Sequence, residues 1–158
     1  IAALMTEALS LNGNEVILEI GTGSGYQTSI LSLLSRRVYS IERIKPLLVN
    51  AQSCFKKLKL TNITSESGDG FLGWPKLAPF DHMIITCAVK KIDDRLLNQI
   101  RVNGSCVVPI GKTKNQQRLI KITIGNDRHD DVWEDLGKVS FVPLISEKDW
   151  IIFNVWEY

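Results

Sequence analysis

The run Ile17-Leu18-Glu19-Ile20-Gly21-Thr22-Gly23-Ser24-Gly25 constrains this chain more than any other stretch. An apolar segment ends in three alternating glycines, and helical spacing follows. That order reads as a strand, a tight turn and a helix start, the build of a nucleotide-binding crevice. A dinucleotide fingerprint sets its third glycine three residues after its second. Tyr26 stands at that place here, and the glycines fall at i, i+2 and i+4 instead. Such glycines let the backbone approach a ligand where a Cβ would intrude. Ser24 is expected as the N-cap, with Gln27 closing a capping box. Tyr26, Ile30, Leu33 and Leu34 recur at helical spacing.

Alternation continues along the chain. Strands are expected at 16–20, 38–41, 62–67, 82–87 and 106–110. Helices are expected at 24–35, from Pro46 onward and at 93–101. Leu47, Ala51, Phe55 and Leu58 mark one face of the second, and Leu96, Leu97 and Ile100 turn inward in the third. The opening Ile1, Leu4, Met5, Ala8 and Leu9 is already helical, and Asn12-Gly13-Asn14 stops it. No capping residue precedes Ile1, so the sequence is expected to be the remainder of a longer chain. The tail differs: 119–124, 138–144 and 150–156 read as strands with few helix signals between them. Alternating βα units imply an α/β, Rossmann-like fold, a mostly parallel twisted sheet flanked by helices, with an antiparallel C-terminal strand region. The 158 residues are expected to form one domain, 1–158.

Composition removes several function classes. A net charge of +2 does not suggest a nucleic-acid binder. Arg36-Arg37, Lys56-Lys57-Lys59 and the basic residues from Lys112 to Arg118 read as solvated faces or loops. Cys54, Cys87 and Cys106 lack ligand spacing, as do His82 and His129, so neither a metal site nor a disulfide framework is expected. Free thiols in core strands suit a reducing, cytoplasmic compartment. No run approaches about 18 apolar residues, the length of a membrane helix.

The informative polar residues gather at strand ends, where ligands bind in such sheets. Glu42 ends the second strand, where a carboxylate can accept from both ribose hydroxyls of a nucleoside; the alternative is a surface pair with Arg43 or Lys45. Asp69, between two glycines, can approach a purine amino group or make an Asx turn. Glu19 can orient turn amides, meet a ligand ammonium group or serve as a structural acceptor. His82 reads as a satisfied structural histidine. No Ser-His-Asp, Cys-His or paired-carboxylate constellation is visible.

The i, i+2, i+4 glycines are the pattern of S-adenosylmethionine methyltransferases, and longer stretches sharpen the likeness. Along nearly its whole length the chain resembles the protein-L-isoaspartate O-methyltransferase family. The resemblance is carried by Ala3-Leu4-Met5-Thr6-Glu7-Ala8-Leu9, residues 18–27, Arg37-Val38-Tyr39-Ser40-Ile41-Glu42-Arg43 and Gly68-Asp69-Gly70. Gly73-Trp74-Pro75, Ala78-Pro79-Phe80-Asp81, Val108-Pro109-Ile110-Gly111 and Phe141-Val142-Pro143-Leu144 extend it. Glu147-Lys148-Asp149-Trp150 looks like the end of some eukaryotic members. The resemblance implies a Rossmann-like methyltransferase fold and S-adenosyl-L-methionine as donor, with S-adenosyl-L-homocysteine as product and no metal. It implies repair methylation of L-isoaspartyl carboxylates in damaged proteins and peptides by a cytosolic monomer. By position, Glu19, Gly21, Thr22, Gly23, Ser24, Gly25, Glu42, Arg43, Asp69 and Gly70 become the expected cofactor residues. The family's catalytic Ser or Thr lies just before the segment matching Ile1, so no catalytic residue is expected within this sequence. Thr86-Cys87-Ala88-Val89-Lys90-Lys91-Ile92-Asp93 departs from the family's Thr-Ala-Ala and proline-rich turn, which alters the acceptor loop. A methyltransferase with another acceptor, such as a precorrin or tRNA, and a cofactor-binding module without turnover are the competing readings.

Overall fold

The computed structural model describes residues 1–145. The expected strand at 150–156 and the segment Glu147-Lys148-Asp149-Trp150 lie outside the described residues. Seven strands form one sheet: β1 Val16–Ile20, β2 Arg37–Glu42, β3 Ile63–Ser67, β4 Phe80–Ile85, β5 Ile100–Ile110, β6 Arg118–Thr123 and β7 Val132–Lys138, in the order β3-β2-β1-β4-β5-β6-β7. The first five run parallel; β6 and β7 return antiparallel. Helices α1 Ala2–Ala8, α2 Tyr26–Leu34, α3 Lys45–Lys57 and α4 Asp94–Leu97 complete the described architecture. The strand order turns back between β1 and β4, which opens a crevice beyond their carboxyl ends.

Strand alternation divides the core. Leu18, Ile20, Met83 and Ile85 point to one face, where Phe80, Leu96, Cys106 and Val108 join them. Ile17, Val38, Ile84 and Val107 point to the other and meet Met5, Leu9 and Leu31 from α1 and α2. Burial of each large apolar side chain stabilises the fold by about 1.5–3 kcal/mol relative to exposure. With both faces covered, β1 and β4 need continuous apolar runs, which is what made them readable.

Several expectations are corrected. Ser24 does not cap α2. Gly25 does, in the left-handed region at φ 82°, with the Phe55 ring where a Cβ would sit. Gln27 does not close a capping box, because its amide donates to Thr6 Oγ1 at 2.8 Å and ties α2 to α1. The inner face of α2 is Gln27, Thr28, Leu31 and Ser32, whereas Tyr26, Leu33 and Leu34 are exposed. Polar pairing beneath the helix, not apolar spacing, sets its rotation. On α3 the buried residues are Leu48, Ala51 and Phe55, and Leu47 and Leu58 are exposed.

The helix expected at 93–101 is the single turn α4. Its inward residues Leu96, Leu97 and Ile100 are buried, but Ile100 already belongs to β5, paired with Phe80. The strand expected at 138–144 is also displaced. β7 ends at Lys138, and the following segment crosses to the loop after β4, where Pro143 bridges Ala88. Gln117 holds that crossing by accepting from Phe141 N and donating to Phe141 O.

Candidate functional site

A cavity of about 380 Å3 opens at the carboxyl ends of β1, β2 and β4. Gly21, Gly23, Glu42, Arg43, Gly70 and Thr86 contribute to its wall. The glycine turn is fastened from below: Gly21 N donates to Ile41 O at 2.8 Å, and Gly25 N to Thr22 O at 2.8 Å. The Thr22 and Ser40 hydroxyls meet at 2.6 Å. Gly21 and Gly25 have no space for a side chain, which would strike Thr86 or Phe55. Gly23, at φ 54°, faces open space, so its missing side chain is the one that leaves room for a ligand.

Glu42 clamps this turn. Its Oε2 accepts from Gly23 N at 2.8 Å and its Oε1 from Ile44 N at 2.9 Å. Those bonds occupy two of the roughly four acceptor sites of a carboxylate. The remaining capacity is available on a cavity wall where Glu42 is only 7% exposed. The surface pair with Arg43 does not form, because Arg43 reaches Asp69 at 3.7 Å.

Glu19 lies beneath the turn and off the cavity wall, fully buried. Its Oε2 accepts from Thr28 Oγ1 at 2.5 Å and Ser40 Oγ at 2.6 Å, while Oε1 has no hydrogen-bond partner among the described residues. Burial pushes its carboxyl up to about 7, against the lowering pull of the two hydroxyls, and nearby Glu42 adds to the rise. Glu19 is thus a brace between β1, β2 and α2, held by two side-chain hydroxyls rather than by turn amides among the described residues.

The structure divides the remaining expected residues. Gly70 lines the cavity, whereas Asp69 lines the neighbouring hollow that contains Trp74. Asp69 Oδ1 accepts from Phe71 N at 2.9 Å, so the Asx turn is formed. Thr22 is buried behind the turn and Ser24 is exposed; neither lines the cavity. His82 Nδ1 lies 2.9 Å from Ser105 Oγ and accepts from Ser105 N, away from the cavity, as a structural histidine does. Burial pulls its pKa down. Cys87 does line the cavity, but burial pushes its thiol up to about 12, so it remains a neutral apolar wall. Among the described residues, no group of three or more His, Cys, Asp or Glu comes together as a metal site, and no helix is long and apolar enough to cross a membrane.

Sequence reasoning missed the apolar part of the wall. Ile44 and Leu47 come from the start of α3, and Val142, Pro143 and Leu144 from the crossing segment. Ala88 N donates to Val142 O, and Leu144 N to Ala88 O, each at 2.8 Å. The apolar run Val142-Pro143-Leu144 was a visible signal, but nothing local named its destination.

The sheet order, the fastened glycine turn and the antiparallel edge define a Rossmann-like methyltransferase fold. A family model described as protein-L-isoaspartate(D-aspartate) O-methyltransferase matches residues 1–149, and the chain belongs to that family. A protein-L-isoaspartate O-methyltransferase of Dictyoglomus thermophilum is 47% identical over 150 residues, covering 95% of this chain and 67% of the relative. The chain spans about two thirds of the length of the curated relatives it matches. A solved protein-L-isoaspartate O-methyltransferase superposes with a TM-score of 0.82 at 24% identity, covering 90% of this chain and 45% of that one. The crystal structure of a Plasmodium falciparum member of that kind, in complex with S-adenosyl-L-homocysteine, gives 0.77 at 22% identity over 90% of this chain and 71% of that one.

Proposed function

We propose that this chain binds S-adenosyl-L-methionine in the glycine-turn cavity and serves methyl transfer to the carboxylate of L-isoaspartyl residues in damaged proteins and peptides. The observation that carries the cofactor part is Glu42. It is a nearly buried carboxylate, preset by two backbone N–H groups, with acceptor capacity left on a ligand-sized cavity wall. Two ribose hydroxyls match that capacity. Gly23 leaves room beside it, Ile44 and Leu47 supply an apolar wall for a base, and Arg43 and Gly70 border the same space. Gly21 belongs to the wall itself, and Glu19, Thr22, Ser24, Gly25 and Asp69 act behind or around it by holding the turn and its neighbouring loop.

The donor, when bound, supplies a methyl group already activated on a sulfonium. The acceptor carboxylate, with a pKa of about 4, is ionised at neutral pH and needs no general base. Its oxygen lone pair forms the C–O bond as the S–CH3 bond breaks, leaving a methyl ester and a neutral thioether. The chain's contribution is alignment and exclusion of water. We place residues 1–158 in one domain working as a cytoplasmic monomer, without nucleic acid or membrane as partner.

Calorimetry tests the reading. S-adenosyl-L-homocysteine should give binding heat and NAD none; a clear NAD signal sinks it. Glu42→Ala removes two charge-assisted ribose hydrogen bonds, each worth roughly 1.5–3 kcal/mol, so product affinity should fall at least about tenfold. The same variant frees Gly23 N and Ile44 N, so a modest loss of thermal stability accompanies it. With labelled donor, an isoaspartyl peptide should accept methyl and its aspartyl twin should not.

A further inference from the structure

Beyond the crossing segment lies a second recess, a groove of about 560 Å3. Val142, Pro143 and Leu144 belong to both linings, so one short segment separates the groove from the cavity. Its floor is apolar, with Phe71 and Phe141 beside those three residues. Its charged lining is of one sign: Lys90 and Lys91 follow β4, and Lys112 follows β5. All three side chains are exposed, and no salt bridge involves any of them among the described residues. No acidic side chain is among the described residues that line the groove. Asp93, the nearest acid along the chain, is already forked to Arg95 at 2.7 Å.

The lysines stand on a fixed backbone. Val89 N donates to Pro109 O at 3.0 Å, and Gly111 N to Val89 O at 2.9 Å. These bonds lock the loop after β4 to the loop after β5. Three cations therefore project from braced positions around an apolar trough next to the proposed donor cavity. Like charges held together with no salt-bridged acid among the described residues favour an anionic occupant, and screening by salt weakens that attraction. The trough suits an extended polypeptide; the cations suit its acidic side chains.

We propose that this groove seats the acceptor polypeptide and that Lys90, Lys91 and Lys112 select isoaspartyl sites flanked by Asp or Glu. The proposal rests on the methyl-transfer reading for the nature of the acceptor, but its test does not require turnover. Three fluorescently labelled isoaspartyl peptides, identical except for acidic, neutral or basic flanks, are compared by anisotropy. The acidic peptide should bind about five- to tenfold more tightly than the basic one at low salt, with the gap narrowing at physiological salt. Lys90→Glu/Lys91→Glu and, separately, Lys112→Glu should shrink or invert that order. Both variants should bind S-adenosyl-L-homocysteine as the parent does, which shows that they are folded. Equal affinity for acidic and basic peptides overturns the proposal, as does an acidic preference that survives in both variants. Absence of S-adenosyl-L-homocysteine heat in the parent instead removes the methyl-transfer reading, while the anisotropy order still decides what the groove prefers.

Discussion

On β4, Phe80, Met83, Ile84 and Ile85 are completely shut off from solvent, whereas on β7 Val132 and Trp133 are more than half exposed. Both strands belong to one sheet, and β7 is the longer of the two. The parallel half is held by side chains packed on both faces. β7, at its antiparallel border, is held chiefly by a backbone ladder to its one neighbour β6 and by surface pairs such as Arg118–Asp135 at 2.7 Å. Such exposed pairs contribute little, about 0–1 kcal/mol. The cavity sits at the buried half: Glu42 and the glycines of its wall must keep their positions, and that half supplies the rigidity.

Truncating one aromatic in each half tests the contrast most severely. Phe80→Ala should lower the unfolding free energy by about 3–5 kcal/mol in chemical denaturation. Glu19→Gln probes the charged brace inside the buried half. The Glu19 carboxyl titrates near 7 when folded, against an ordinary value of 4.5, so between these values the folded state holds the extra proton. Its contribution to stability therefore falls as pH rises through that window. Relative to the parent, Glu19→Gln should gain about 1–3 kcal/mol between pH 5 and pH 8. A difference that is flat with pH would remove the raised titration. The smallest effect belongs to the extension: Trp133→Ala should cost less than about 1 kcal/mol. A Trp133 loss equal to that of Phe80 would break the comparison.

The same contrast explains what the sequence disclosed. Val16–Ile20 and the β4 run are buried on both faces, so composition alone marks them as strands. Glu42 was legible because a carboxylate at the second strand end answers the glycine turn, although its grip on Gly23 N is a tertiary fact. β7 was not legible. Val132-Trp133-Glu134-Asp135-Leu136-Gly137-Lys138 shows neither clean alternation nor an apolar run, because its pairing partner and not its burial makes it a strand. Rotation of α2 was misread because Thr28 answers to Glu19, a partner no helical wheel contains. For the same reason Ser24 looked like a cap while Gly25 took the place, where only a missing Cβ clears Phe55.

Among the described residues β7 is the outermost strand, with its register to β6 shifted between Leu119 and Ile120 and Gly137 at φ 119°. A bulged, charged border is a poor template for a neighbour's backbone. A foreign strand docking there would have to desolvate Glu134 and Asp135 and follow a ladder that changes step partway along. Among the described residues this border thereby disfavours edge-to-edge self-association, and an apolar, regular replacement for β7 would trade that protection for fibre formation.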